Sequence, residues 1–325
     1  MNLERLYESL KDEGTREAYA EALMELGERE DIVVLDADLA KSTRTEFFKK
    51  KFPERFFDFG VAEQNMFSVA GGLAASGKTV FASTFAVFAA CKGYDQIRMC
   101  IAQPNLNVKI VASHGGITVG EDGFSHQAVE DLALFLTFPN FKVIVPADAF
   151  ETYQAVKKAA SIYGPFYIRL TRPKPPSVCP PNYEFELGKA RRFREGAHAT
   201  IIATGIMVHY SLLAADELAR EGIECRVINM STLKPIDEEE IIRASEDTGA
   251  IVTVEDHFER GGLGSTVSLI LSKRRPTPLE TVALGDKYAV SGKPDELLEI
   301  FGLSKGHIKE AVRRVIERKG YPRYQ

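Results

Sequence analysis

The chain has 325 residues, 45% of them hydrophobic and 27% charged, with a formal net charge of −5. That balance describes a soluble globular protein long enough for two domains and a sizeable core. It lacks the clustered Lys/Arg stripe that a nucleic-acid backbone demands, and no apolar run reaches membrane-spanning length, so neither partner is expected.

The N-terminal MNLERLYESLKDEG is charged throughout and has no apolar signal core. Cys91, Cys100, Cys179 and Cys225 show no paired metal-ligand spacing and read as reduced thiols, which points to a cytoplasmic protein.

In chain order, Thr15 is placed as the N-cap of a first helix whose apolar face carries Ala18, Leu23 and Leu26. Ile32 to Leu35 is a continuous apolar run, the mark of a strand buried on both faces, and leads into the polar turn DADLAKST. Strands are expected at 56–58, 79–83, 108–113, 142–145 and 166–170, with helices at 63–76, 88–101, 129–136 and 149–161. This alternation predicts an α/β fold built on a doubly wound, mainly parallel sheet. The segment TRPKPPSVCPPNY then reads as a semi-rigid linker, because proline fixes φ and cannot donate to a ladder. Beyond it a smaller α/β domain is expected, with strands at 199–203, 226–229, 250–254 and 281–283. The division predicted is 1–172, a linker over 173–184, and 185–325.

The helix opening near Glu63 is dense in small residues (Ala70, Gly71, Gly72, Ala74, Ala75), which predicts close approach of another backbone. Glu63 itself is the one carboxylate at the start of this apolar helix. The dipole favours an acid there in any case. Gly72 to Thr79 matches the phosphate-loop pattern GxxxxGK[ST] letter for letter, yet a helix precedes it and a strand follows, the reverse of what that motif needs. Nucleotide hydrolysis is therefore excluded. The fragment Gly261-Gly262-Leu263-Gly264 opens a helix after a strand and leaves an anion site possible, with Glu255 and His257 either lining it or structural.

Four glycines in ten residues follow the strand 108–113, on a loop that also holds His114, Glu121, Asp122 and His126. Glycines let backbone approach a ligand, and open α/β sheets bind at strand carboxyl ends. Imidazoles and carboxylates gathered on one such loop suit proton transfer to a polar organic ligand.

Together GVAEQN, STFAVF, SHGGITVGEDGFSHQAVEDLALFLTFPN, VIVPAD and RLTR resemble transketolase, over its pyrimidine-binding and C-terminal domains; VEDHFERGGLGS at 254–265 resembles the latter. The resemblance implies thiamine diphosphate as cofactor and transfer of a two-carbon glycolaldehyde unit from a ketose phosphate to an aldose phosphate. It implies that Glu63 hydrogen-bonds N1′ of the aminopyrimidine, so that the exocyclic nitrogen can take the thiazolium C2 proton. Phe88 would stack on the pyrimidine with Phe85 close by, while Cys91 stands where an aromatic is common. Asp38 corresponds to a position near the cofactor at a subunit contact. His114 and His126 would move protons and bind hydroxyls, and Asp122 would bind the hydroxyl beside the carbonyl. Arg16, Ser42 and Arg172 would hold the sugar phosphate, a role for which the planar guanidinium is suited.

The family binds the diphosphate and its Mg²⁺ (or Ca²⁺) through a GDG motif and an Asn, and no GDG occurs here. The resemblance thus implies the C-terminal subunit of a split transketolase, with metal and diphosphate held by an N-terminal partner chain, as a dimer or a heterotetramer. GVAEQN is closer to the motif of deoxyxylulose-phosphate synthase, but that synthase usually has Arg in place of His114. The 2-oxo acid dehydrogenase beta subunits share the length and lack the His114–His126 loop. Phe124 replaces a common Pro. A non-catalytic regulatory homologue is the alternative from outside enzymes, and it has no need of Glu63, His114, Asp122 and His126 together.

Overall fold

The computed structural model describes residues 3–320. Its first sheet is built on β1 (Ile32–Asp36), β2 (Phe56–Asp58), β3 (Thr79–Phe85), β4 (Val108–Ser113), β5 (Lys142–Ile144) and β6 (Phe166–Arg169), all parallel, in the order β5-β6-β4-β3-β1-β2. Alternation along each strand loads both faces. Ile32 and Val34 join a core with Leu6, Leu10, Leu23 and Phe150, under the helices Leu3–Leu10, Thr15–Leu26 and Ala149–Ala160. Val33 and Leu35 face the other way, toward Met66, Phe67, Ala70 and Ala89 of the helices Glu63–Ala75 and Ala86–Cys91. With both faces covered, a parallel sheet reads as continuous apolar runs.

The close helix approach predicted from small residues is present: a Cβ on Gly71 would overlap the Cys100 carbonyl of a neighbouring π-helical turn, Arg98–Ala102. Truncating the wholly buried Phe67 of the same helix to alanine would cost ~3–5 kcal/mol.

The second sheet has β7 (Arg191–Arg194), β8 (Ala199–Ala203), β9 (Cys225–Asn229), β11 (Ile251–Phe258) and β12 (Leu279–Leu284), in the order β12-β11-β8-β9-β7, parallel except for β7 on β9. Between β9 and β11 in the chain, β10 (Thr232–Lys234) leaves this sheet and pairs antiparallel with β5 of the first. The two halves are thereby stitched through a shared strand pairing that periodicity alone does not reveal.

Two expectations are corrected. Gly14, not Thr15, is the N-cap of the first long helix. Thr15 instead accepts a hydrogen bond from Thr171 N at 3.2 Å, tying the helix to the end of the first half. The helix expected over 88–101 is broken at Gly93, whose missing side chain leaves room for the Phe67 ring. The proline-rich stretch is anchored to the first half: Val178 N and Cys179 N donate to Asp148 Oδ2 at 2.9 and 2.8 Å, and Cys179 and Tyr183 are buried.

Neighbouring strands β1 and β3 lead away from each other, β1 to β2 on one side and β3 to β4 on the other. Their carboxyl ends form the switch point at which such sheets bind ligands.

Candidate active site

Five carboxyl ends meet at that switch point. β2 delivers the turn through Gly60 (φ +63°) into the helix that starts at Glu63. β3 ends at Phe85 and runs into the short helix carrying Phe88. β4 ends at Ser113, followed by His114 at φ +63°, a left-handed backbone uncommon for a β-carbon residue. β1 leads into Asp38, and β6 into Arg172.

Glu63 is only 4% exposed. The one cation beside its carboxylate among the described residues is Lys92, whose Nζ lies 4.0 Å from Oε2 and 4.6 Å from the centroid of the Phe88 ring. From Phe88 the aromatic contacts continue: its ring is 5.7 Å from Phe85 at 15°, and the edge of His126 meets it at 5.4 Å. Phe85 in turn stacks on His114. The structure therefore brings Glu63, Phe85, Phe88, His114 and His126 into one connected group.

Each imidazole is held by the serine that precedes it. Ser113 Oγ is 2.9 Å from His114 Nδ1, and Ser125 Oγ is 3.0 Å from His126 Nδ1. That leaves Nε2 as the working nitrogen of both rings. Burial, with Arg16 and Arg172 nearby, pulls His114 down to about 3, so it is a neutral ring at physiological pH. A neutral imidazole can donate or accept one hydrogen bond at Nε2 without carrying charge into the site.

A second group lies beside the first. Arg16 Nη1 donates to the Ser42 carbonyl at 2.8 Å and Nη2 to the Arg172 carbonyl at 3.0 Å. Burial lowers the Arg16 guanidinium from its ordinary value. Arg172 donates to the Val119 carbonyl and pairs with Glu121 Oε2 at 3.2 Å and Asp122 Oδ2 at 3.7 Å. Arg16, Ser42, Arg172 and Asp122 are thus brought together. It is the Ser42 carbonyl that meets Arg16, and both guanidinium groups are already spoken for in part.

Asp38 is exposed, at φ +63°. Its N–H donates to Asp58 Oδ1 at 3.0 Å, and Gly60 N donates to the same oxygen at 3.1 Å. The turn is capped instead by buried Asp36, which accepts from Leu39 N, Thr43 Oγ1 and Thr45 Oγ1 at 2.7, 2.6 and 2.9 Å. Burial raises Asp36 to about 6. Cys91 lies near Glu130, and burial together with that carboxylate raises its thiol to about 11.

Residues that the sequence reading passed over are Lys92, the two serines and Asp36. The repeated Ser-His pair at 113–114 and 125–126 was the available signal for the serines.

At the Gly262 turn the helix-terminal amides already have an acceptor. Glu255 Oε2 and Oε1 accept from Leu263 N and Gly264 N, both at 2.8 Å, at the start of the helix Leu263–Arg274. The chain's own carboxylate fills that helix terminus. His257 is wholly buried and accepts from Ala133 N at 3.3 Å, so it too is structural. Lys78 of the phosphate-loop look-alike lies between a helix and a strand, its Nζ 3.4 Å from the Glu30 carbonyl.

Residues 12–177 match the family described as transketolase, pyrimidine binding domain, and residues 188–308 match transketolase, C-terminal domain. This chain belongs to the transketolase family. A Methanocaldococcus jannaschii protein named "Putative transketolase C-terminal section" is 47% identical over 304 residues, covering 92% of this chain and 95% of its own. Mouse transketolase-like protein 2 is 44% identical over 308 residues, covering 93% of this chain and 48% of its own, so the chain spans about half the length of that relative. A solved structure described as a split-gene transketolase, inactive beta4 tetramer, superposes with a TM-score of 0.86 at 50% identity, covering 94% of this chain and 99% of its own. Transketolases are thiamine diphosphate-dependent transferases. Among the described residues no helix is long and apolar enough to cross a membrane.

Proposed function

We propose that this chain is the cofactor-activating subunit of a two-chain transketolase that moves a two-carbon unit between sugar phosphates. The observation that carries the reading is the buried Glu63 carboxylate, free of any protein hydrogen-bond donor among the described residues and linked to the Phe88 ring through Lys92 Nζ. A buried acid one lysine side chain away from a half-buried aromatic face suits a planar heterocycle with a protonatable ring nitrogen. The residues present therefore fit the pyrimidine end of thiamine diphosphate.

When bound, that cofactor supplies the electron sink for carbon–carbon cleavage. Glu63 would hold a proton at N1′ of the pyrimidine, and Phe88, supported by Phe85, would supply the stacking face. His114 and His126, fixed at Nδ1, would hydrogen-bond substrate hydroxyls through Nε2 and relay protons there. Asp122 would accept from the hydroxyl next to the carbonyl. Arg16 and Arg172, with the Ser42 segment, would meet the sugar phosphate, Arg172 by exchanging its carboxylate partners for phosphate oxygens. Asp38, exposed on the turn next to Gly60, would face the partner chain.

The partner would carry the GDG motif and Asn and hold the Mg²⁺ and the diphosphate. Exposed Phe57 and Val61, flanking the Glu63 turn at 45% and 72% exposure, support a second chain closing over it. So does the relative described as an inactive tetramer of one subunit type. A heterotetramer is the assembly proposed.

Calorimetric titration with thiamine diphosphate and Mg²⁺ tests this. The chain mixed with the GDG-bearing chain should bind stoichiometrically, and the chain alone should not. Equal binding by the isolated chain would contradict the division of labour.

A further inference from the structure

At the end of β11, Asp256, His257 and Phe258 all bond to residues of the first half. Open α/β sheets bind ligands at the carboxyl ends of their central strands. In the second sheet those ends belong to β8 and β11. The place is taken by the chain's own glycine-rich loop. Asp256, 4% exposed, accepts from Ile117 N at 2.9 Å, from Thr118 N at 3.4 Å and from Thr118 Oγ1 at 3.0 Å. A Cβ on Gly116 (φ +77°) would overlap this carboxylate, so glycine is needed there on two counts.

The rest of the loop is fastened to the same wall. Phe258 N donates to the Val129 carbonyl at 2.8 Å, and Gln127 Nε2 donates to the Val290 carbonyl at 3.1 Å. Buried Arg169 bridges the halves: Nη2 donates to the Ala128 carbonyl at 2.6 Å and to the Asp256 carbonyl at 2.9 Å, and Nε to Asp131 at 2.9 Å. The loop segment between His114 and His126 thus has its first turn pinned by one carboxylate of the second domain.

We infer that Asp256 is a positioning residue: the second domain uses its ligand crevice as a mould that holds the loop bearing His114, Asp122 and His126 in register with the first sheet. The inference rests on the transketolase reading for what the loop binds, but the clamp itself does not. The Asp256 carboxylate takes its hydrogen bonds from the Ile117 and Thr118 amides and the Thr118 hydroxyl, so its effect reaches substrate through the loop. An acceptor for two backbone amides and a hydroxyl at once must be a carboxylate, since a carboxamide offers one oxygen.

The test has two arms. In the first, amide hydrogen exchange is measured on the full chain for wild type, Asp256→Asn, Asp256→Ala and Thr118→Val. Exchange at Ile117 and Thr118 should quicken in both Asp256 variants, and in Thr118→Val less than in Asp256→Ala, while the strand amides of 108–113 keep their protection. Unchanged exchange at 115–123 overturns the clamp. Thr118→Val removes one donor and keeps the carboxylate, so it reports even where Asp256→Ala does not fold. In the second arm, each variant is assayed with its partner chain. The ketose phosphate KM should rise on the order of tenfold to a hundredfold, with thiamine diphosphate affinity within about twofold of wild type. Faster exchange with an unchanged KM overturns the positioning role. Absence of two-carbon transfer by the wild-type mixture would instead sink the functional reading and leave the exchange result standing.

Discussion

The rings of Phe85 and His114 stack with centroids 3.8 Å apart and planes inclined by 22°. This contact helps bury the imidazole, and burial, with Arg16 and Arg172 nearby, sets its titration. With a folded-state value of about 3 against an ordinary 6.5, the unfolded chain takes up a proton that the folded one refuses. The stability that neutral His114 contributes is complete above about pH 6.5 and is lost as pH falls toward 3. Urea melts from pH 7 to 4 should show wild type losing stability relative to His114→Phe. Parallel slopes for the two would contradict the burial argument.

Glu255 has the opposite sign. Burial raises it to about 7 from 4.5, so the folded state binds the extra proton and this group's contribution falls as pH rises from about 4.5 to 7. Glu255→Gln should flatten the stability profile over that window. Glu255→Ala strands the Leu263 and Gly264 amides and should cost ~1–3 kcal/mol at any pH in the range, read from denaturant midpoints.

Lys92 competes for the face that the pyrimidine would occupy. Its side chain is 48% exposed, and a half-exposed ion pair is worth about 0–1 kcal/mol. Lys92→Ala should therefore tighten thiamine diphosphate binding by the mixed chains no more than about fivefold. A large loss of affinity in calorimetry would make Lys92 a contact to the cofactor instead.

Asp122 is paired with Arg172 at 3.7 Å and is on the solvent side of the loop. Asp122→Ala should raise sugar KM and blur discrimination between epimeric acceptors, with fold and cofactor affinity kept. Equal specificity constants for all acceptors would remove it from sugar binding.

Much of this site was legible because the residues stand at strand ends. Glu63, Phe85, Phe88, His114 and Arg172 each follow an apolar run by a few residues, and a parallel sheet carries such ends to one edge. The aromatic spacing of Phe85 and Phe88 on its own looked like core, and only their neighbours in space distinguish them. Asp256 lies 139 residues from Ile117, and no local pattern signals a carboxylate that reaches that far. Lys92 stands 29 residues after Glu63, at the C-terminal end of a different helix, so no local pattern pairs the two. Thr15 looked like a cap because Thr often is one, but its hydroxyl is used by Thr171, a partner from the far end of the domain.

The two-carbon transfer rate of Glu63→Gln, assembled with its partner chain and compared with wild type, tests the central claim most directly. The substitution keeps shape and removes the carboxylate, so turnover should fall by on the order of a hundredfold or more while melting temperature and sugar affinity hold. Turnover within a few-fold of wild type would show that this carboxylate takes no part in the chemistry.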